Sequence, residues 1–336
     1  MHRIAVDAMG GDGAPGIIVE GALSAVREWP GRFAVSLVGI PERIEAEMPA
    51  DVPDRIEIVP ASEIIVGDDS PVRAIRRKRD SSIVVGLGLL RSGEADAFIS
   101  AGSTGAVMAG SRLLLGMIEG VERPTLGTIF PTAGPPVLVV DSGANIDTRA
   151  SHLHQFAHLG SVYMRDLLGL ERPRVGLLNV GEEPTKGGDR AVTTYRLLEE
   201  DEDLHFVGNV EGHGIIRGMC DVLVCDGFAG NVLLKFYESI AGFMAGVLEA
   251  KLDPEACGDG LREALTVLDY TQYGGAPLLG VNGVSVICHG ASPPRAIKNA
   301  IGVAATCVES GMVDDLASEF GPTSRRARVW RRIRRR

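Results

Sequence analysis

Glycine-rich runs that directly follow short apolar segments are where this sequence could do chemistry. The first is Asp7-Ala8-Met9-Gly10-Gly11-Asp12-Gly13-Ala14-Pro15-Gly16. Residues without side chains let the backbone approach a ligand closely and offer N–H groups to an anion. Gly11, Gly13 and Gly16 satisfy a GxGxxG pattern ahead of a helix. A dinucleotide fingerprint, however, wants an acid about 20 residues on at the end of a second strand. Asp7 and Asp12 would also set negative charge beside a pyrophosphate, so a structural tight turn is the stronger competing reading. A second run, Ser100-Ala101-Gly102-Ser103-Thr104-Gly105-Ala106, offers successive amides and hydroxyls at the start of a helix. Ser103, Thr104 and Gly105 can hold an anion there, or Ser103 or Thr104 can simply cap the helix.

Three further strand ends add polar groups. One supplies Asp141-Ser142-Gly143-Ala144-Asn145, and another supplies Asn179-Val180-Gly181-Glu182-Glu183-Pro184-Thr185-Lys186-Gly187. Lys186 is the only lysine of its loop and can neutralise a phosphate oxygen as a point charge, with a solvated loop lysine as the alternative. The third end reads Asp226-Gly227-Phe228-Ala229-Gly230-Asn231. Asn231 can cap the helix that follows or present its amide to a carbonyl oxygen. No Walker pattern, G-x-S-x-G elbow or H-E-x-x-H site is present, which disfavours nucleotide hydrolysis and serine acyl-enzyme chemistry. His154 and His158 lie four apart on an expected helix, but nothing nearby in sequence completes a metal site, and they read as surface or packing residues.

These loops need a sheet to align them. Apolar, β-branched runs recur at Ile4–Val6, Phe33–Val38, Ile56–Val59, Ala97–Ile99, Val137–Val140, Val175–Leu178, Val222–Cys225 and Val284–Cys288. Helices are expected at Pro15–Trp29, Ser151–Leu168, Asn231–Lys251 and Pro294–Ser310. That rhythm predicts an α/β fold with a largely parallel sheet covered on both faces, whose ligands sit beyond the carboxyl ends of the strands. The chain of 336 residues is 45% hydrophobic and 23% charged, ample for a large core. Residues 1–322 read as a single catalytic unit, with two lobes around a cleft as a variant of that reading.

Eight arginines fall within residues 323–336, and without them the net charge of −10 becomes −18. An acidic body argues against nucleic-acid binding, whereas the tail reads as disordered or as a contact for an anionic surface. Five cysteines without a CxxC pair indicate neither a disulfide framework nor a zinc knuckle and fit a reducing cytoplasm. No span of about 18 uncharged apolar residues is seen, so the reading is neither secreted nor transmembrane. Arg73, Arg76, Arg77, Lys78 and Arg79 form a basic cluster on this acidic chain, either a docking patch for an acidic partner or a solvated helix face. Leu233, Phe236, Ile240, Phe243, Val247 and Lys251 recur at near-helical spacing, a stripe that favours core or dimer interface over membrane contact.

In order along the chain, IAVDAMGGDGAP (Ile4–Pro15), SAGSTGA (Ser100–Ala106), VDSGANID (Val140–Asp147), GLLNVGEEPTKG (Gly176–Gly187), DVLVCDGFAGNVLLK (Asp221–Lys235), YGGAPLLGVNG (Tyr273–Gly283) and ICHGASPPRAIKNAI (Ile287–Ile301) resemble the acyl-acyl carrier protein:phosphate acyltransferases of bacterial phospholipid synthesis. The Pro293-Pro294 pair and the arginine tail depart from that pattern. The resemblance implies a Rossmann-like α/β/α sandwich similar to isocitrate and isopropylmalate dehydrogenases, with no cofactor and no essential metal. It implies reversible transfer of an acyl group from acyl carrier protein to inorganic phosphate, the acyl phosphate then passing to a glycerol-3-phosphate acyltransferase. Lys186 and Asn231 match the residues central to catalysis. Asp7, Gly10, Gly11, Asp12, Ser103, Thr104, Gly105, Asn145, Asn179 and Asp226 are assigned to substrate, and the basic cluster to acyl carrier protein. A homodimer, with peripheral association at the inner face of the membrane through residues 231–268, is also implied.

Overall fold

The computed structural model describes residues 1–132, 134–251 and 270–321. Residues 252–268 of the expected dimer and membrane region, and the tail at 323–336, lie outside the described residues. The chain divides into two compact units, Thr125–Gln272 and the segments before and after it.

The flanking unit contains β1 (His2–Asp7), β2 (Phe33–Gly39), β3 (Ile56–Pro60), β4 (Ala97–Ser100), β10 (Ala276–Leu279) and β11 (Val284–Ile287). Their order is β3-β2-β1-β4-β11-β10, and only the β10–β11 pair is antiparallel. Strands β1, β2 and β4 are buried along nearly their whole length, as parallel strands covered on both faces must be. The covering helices are α1 (Gly16–Glu28), α2 (Pro41–Glu45), α3 (Pro71–Arg77), α4 (Ser82–Ser92), α5 (Thr104–Gly110) and the segments Pro294–Glu309 and Met312–Phe320. Helix α1 meets Pro294–Glu309 through Gly21, where an added Cβ would stand 2.7 Å from the Pro294 carbonyl oxygen. The adjacent parallel strands β1, β4 and β11 bring their carboxyl-end loops to one edge.

The inserted unit contains β5 (Thr125–Phe130), β6 (Val137–Val140), β7 (Arg174–Leu178), β8 (His205–Val210) and β9 (Val222–Val224), in the order β5-β6-β9-β7-β8. All pairs are parallel except β5–β6. Its helices are α6 (Ala150–Leu168), α7 (Asp189–Glu199), α8 (Gly212–Ile216) and α9 (Gly227–Lys251). Phe130, Val137, Val139, Val210, Ile215 and Leu223 form a buried cluster, and Leu233, Leu234 and Tyr237 of α9 pack on it. Here too the loops after β6, β9 and β7 share the carboxyl edge.

Candidate active site

In the flanking unit, Asp7 ends β1 with its side chain only 1% exposed. The Ser100 hydroxyl donates to Asp7 Oδ2 at 2.6 Å, the Met9 N–H donates to Oδ1 at 3.0 Å, and Ser100 Oγ accepts the Gly102 N–H at 3.0 Å. Burial pushes the Asp7 carboxyl up from its ordinary value, and the hydrogen bonds from Ser100, Ser82, Met9 and Gly10 work against that shift. The side chain assigned to substrate thus faces inward and braces the loop after β1 against the loop after β4. A Cβ on Gly10 would lie 2.5 Å from Asp7 Oδ2 and 2.6 Å from the Gly102 nitrogen, so the two loops meet only because glycine stands there. The exposed Asp12 donates its N–H to the Gly290 carbonyl at 2.8 Å, adding the loop after β11. Ser103 is the N-cap of α5, its Oγ accepting the Ala106 N–H at 3.4 Å, while Thr104 beside it is exposed. Gly105 packs on Pro71 of α3.

The basic cluster belongs to this same neighbourhood. Arg73, Arg76, Arg77 and Arg79 are exposed on and just after α3. Lys78 does not join them: its Nζ donates to Asp69 Oδ2 at 2.6 Å and to the Ile64 carbonyl at 2.8 Å. Its charge is spent on the preceding loop, which corrects the five-residue patch to four arginines.

In the inserted unit, Asp141 follows β6 and is fully buried. Its Oδ1 accepts the N–H groups of Leu126 and Ala144 at 3.1 and 3.0 Å. Its Oδ2 accepts from the Asn145 backbone and side chain at 2.6 and 2.9 Å. Burial raises this carboxyl as well, opposed by those donors. Asn145, 6% exposed, is therefore a loop former that also receives the Gly227 N–H on its carbonyl at 2.8 Å. The structure gives the helix cap to Asp226, whose Oδ1 accepts the Ala229 N–H at 2.8 Å. Helix α9 begins at Gly227, so the expected start at Asn231 is one turn late. Asn231 stands exposed inside that first stretch, and a Cβ built on Gly143 would lie 3.5 Å from its Oδ1.

Lys186 is exposed, and its Nζ stands 3.8 Å from Glu183 Oε1. The loop that presents it is tied from below: the Asn179 side-chain amide donates to the Lys186 carbonyl at 3.0 Å, and that of Asn209 donates to the Glu183 carbonyl at 2.8 Å. Asn179, assigned to substrate, acts here as a loop brace. Asn209 was not anticipated, because it lies at the end of β8, a strand without a clear apolar run. Arg190 was also missed. From the first turn of α7 it pairs with Asp226 and donates to the Thr148 carbonyl at 3.3 Å, linking three carboxyl-edge loops. A lone arginine in a polar helix carries no spacing signal that sequence reading could use.

Cys220 and Cys288 are buried and their thiols are pushed up to about 12, and burial carries Cys225 well above its ordinary value. None of these three is a thiolate near neutral pH.

A family model described as fatty acid synthesis protein matches residues 2–314. The phosphate acyltransferase of Desulfitobacterium hafniense (strain DSM 10664 / DCB-2) is 49% identical over 328 residues, covering 95% of this chain and 97% of that protein. The chain belongs to this family. It is accordingly an enzyme of the acyltransferase class. The phosphate acyltransferase of Nostoc sp. (strain PCC 7120 / SAG 25.82 / UTEX 2576) is 45% identical over 329 residues, covering 95% of this chain and 96% of that protein. Among solved structures, a phosphotransacetylase from Streptococcus pyogenes matches with a TM-score of 0.65 at 15% identity, covering 92% of this chain and 94% of that one. A 4-hydroxythreonine-4-phosphate dehydrogenase from Klebsiella pneumoniae matches with a TM-score of 0.51 at 13% identity, covering 92% and 98%. These two likenesses concern the fold, and they bear out the expected α/β class with its mostly parallel sheet.

Proposed function

We propose that this acyltransferase moves a long-chain acyl group from acyl carrier protein to inorganic phosphate, supplying acyl phosphate for phospholipid synthesis. The observation that carries the reading is 49% identity along 95% of the chain to a phosphate acyltransferase. A phosphate oxygen attacks the thioester carbonyl, the tetrahedral intermediate expels the thiolate, and the thiolate takes up a proton to give free carrier-protein thiol. Lys186 neutralises phosphate and Asn231 directs its amide to the carbonyl oxygen, where negative charge develops. On the flanking unit, taken by itself, the amides of the Gly10–Gly11 and Ser103–Gly105 loops are candidates for holding an anion. A thiolate leaves readily enough that no enzyme nucleophile is required, which accords with burial raising the thiols of Cys220, Cys225 and Cys288 above their ordinary value.

Phosphate-dependent release of thiol from a long-chain acyl-acyl carrier protein, with the acyl phosphate identified, tests this reading. The expected result is release that needs phosphate and is at least tenfold faster with the carrier-protein thioester than with the coenzyme A thioester. Preference for coenzyme A would turn the assignment to phosphotransacetylase-like chemistry, and no release from either donor would leave a noncatalytic carrier-protein scaffold.

The four exposed arginines beside the Ser103–Gly105 loop are proposed to dock the acidic carrier protein. Charge reversal at Arg76 and Arg77 should raise the KM for carrier protein severalfold while kcat and the unfolding midpoint stay put. An unchanged KM in steady-state assays would return these residues to a solvated helix face.

Helix α9 extends the proposal to assembly. Phe236 and Phe243 are each 65% exposed, with Ile240 and Val247 also exposed, so of the stripe expected as core or dimer interface Leu233 packs on the core while these four residues do not. Gly227–Leu248 is long and apolar enough to cross a bilayer by length and composition. Its opening turns, however, pack on the sheet through Leu233, Leu234 and Tyr237, and Lys235 pairs with Glu238 at 2.8 Å. A helix so anchored suits a second copy of the chain or the surface of the inner membrane leaflet better than a span.

A further inference from the structure

Helix α6 carries His154 and His158 one turn apart on its buried face, their side chains 1% and 0% exposed. Sequence spacing alone found nothing to complete a ligand set. The fold supplies it: both Nε2 atoms point at Asp201 Oδ2, at 2.8 Å from His154 and 2.9 Å from His158. Asp201 lies just beyond α7, and its other oxygen accepts the Asp203 N–H at 3.0 Å. We propose that His154, His158 and Asp201 form a binding site for a transition-metal dication of the Zn²⁺ class, apart from the acyl-transfer loops.

Geometry and donor chemistry both support this. The three donor atoms lie within 4.8 Å of one another. Two imidazoles and a carboxylate are a ligand set for Zn²⁺ and its first-row neighbours rather than for Mg²⁺ or Ca²⁺, which prefer oxygen alone. The rings stand at 82° to one another with centroids 5.1 Å apart. An ion about 2.0–2.1 Å from each Nε2 in a tetrahedral shell sets two such rings about 5 Å apart. The same shell separates nitrogen from oxygen by about 3.3 Å, so each contact to Asp201 opens by roughly 0.4 Å.

Access fits as well. On binding, each ring would give its Nε2 lone pair to the ion, the proton now shared with Asp201 Oδ2 leaving that nitrogen for Nδ1 or water. Asp201 also lines an open cavity of about 390 Å³ together with Tyr195, Leu198, Glu199, Glu202 and Phe206, a route by which an ion can reach its carboxylate. Asp201 precedes the amino end of β8, whereas the Lys186 loop follows the carboxyl end of β7. The ion would staple α6 to the turn between α7 and β8.

Equilibrium dialysis of the chelator-washed full chain against Co²⁺, read by visible absorption, should give one ion per chain with a tetrahedral spectrum. Zn²⁺ should displace that ion and raise the unfolding midpoint further with each tenfold step in concentration. H158Q and D201N should each weaken binding at least a hundredfold while keeping the far-ultraviolet dichroism of the parent. The proposal fails if the parent binds no Co²⁺, or if a folded H154Q/H158Q chain binds it as tightly as the parent. X-ray absorption of the Zn²⁺-loaded parent gives an answer even where a variant does not fold. Two imidazoles and oxygen in the shell support the site, and a sulfur-rich shell overturns it.

Discussion

Replacing Lys186 with alanine should lower phosphate-dependent thiol release by about a hundredfold to a thousandfold, the range seen when one preorganised charge-stabilising group is removed. Folding should be indifferent to the change. The ammonium is half exposed and its described ion pair, with the more exposed Glu183, spans 3.8 Å in high dielectric, which contributes little. The loop's shape is fixed by backbone acceptors instead, through Asn179 and Asn209, and alanine leaves both in place. Steady-state rates at saturating phosphate and donor, beside urea denaturation of both proteins, separate the outcomes. A variant that folds normally and keeps its rate within threefold would remove Lys186 from the chemistry. Recovery of part of the rate by Lys186→Arg would show that positive charge, rather than the compact ammonium, is what phosphate needs.

Gly230→Ala should be the most damaging single methyl in the described chain. A Cβ there would lie 1.9 Å from the Asp141 carbonyl oxygen and 3.0 Å from the Ser142 Cα. Neither neighbour can yield cheaply, because Asp141 is held by N–H groups from Leu126, Ala144 and Asn145 at the end of β6. A loss of about 3 kcal/mol or more follows from forced backbone displacement. In a domain of this size that lowers Tm by roughly 6–12 °C. Gly242 on the same helix has open space around its Cβ position. Alanine there should instead stabilise α9 by about 0.5–1 kcal/mol through helix propensity. Calorimetry of the two variants side by side distinguishes packing from propensity. Equal Tm shifts would mean that the close approach of Gly230 is relieved by movement of the helix.

The sheet was legible where strands are apolar on both faces. Val137–Val140 and Val222–Val224 announce themselves because burial on two sides demands continuous aliphatic residues. Strands β5, β8 and β10 escaped. β8, His205–Val210, alternates exposure along its first four residues and includes Gly208, and β10 carries Pro277. Short helices such as α2 and α8 escaped as well, since five residues give too few turns for a period to show. Site loops could be found from their glycines, but the division of labour within them could not. Whether Asp7 or Asn145 faces outward or braces its own loop depends on Ser100 and Asp141, distant in sequence or silent in pattern. The Asp201 partner of His154 and His158 is 43 to 47 residues away and becomes visible only once α6 and α7 are packed together.

The sealed cysteines make this enzyme well suited to being watched. Its proposed turnover liberates one thiol per acyl group moved, and a chromogenic disulfide would report each of them. Such reagents react with thiolates that solvent can reach, at rates set by the thiolate fraction. Cys220, Cys225, Cys288 and Cys307 are buried, and the first three have their thiols pushed far from ionisation. These four positions are thus slow to react on the timescale of an assay, and Cys257, which lies outside the described residues, is the thiol that a phosphate-free control has to account for.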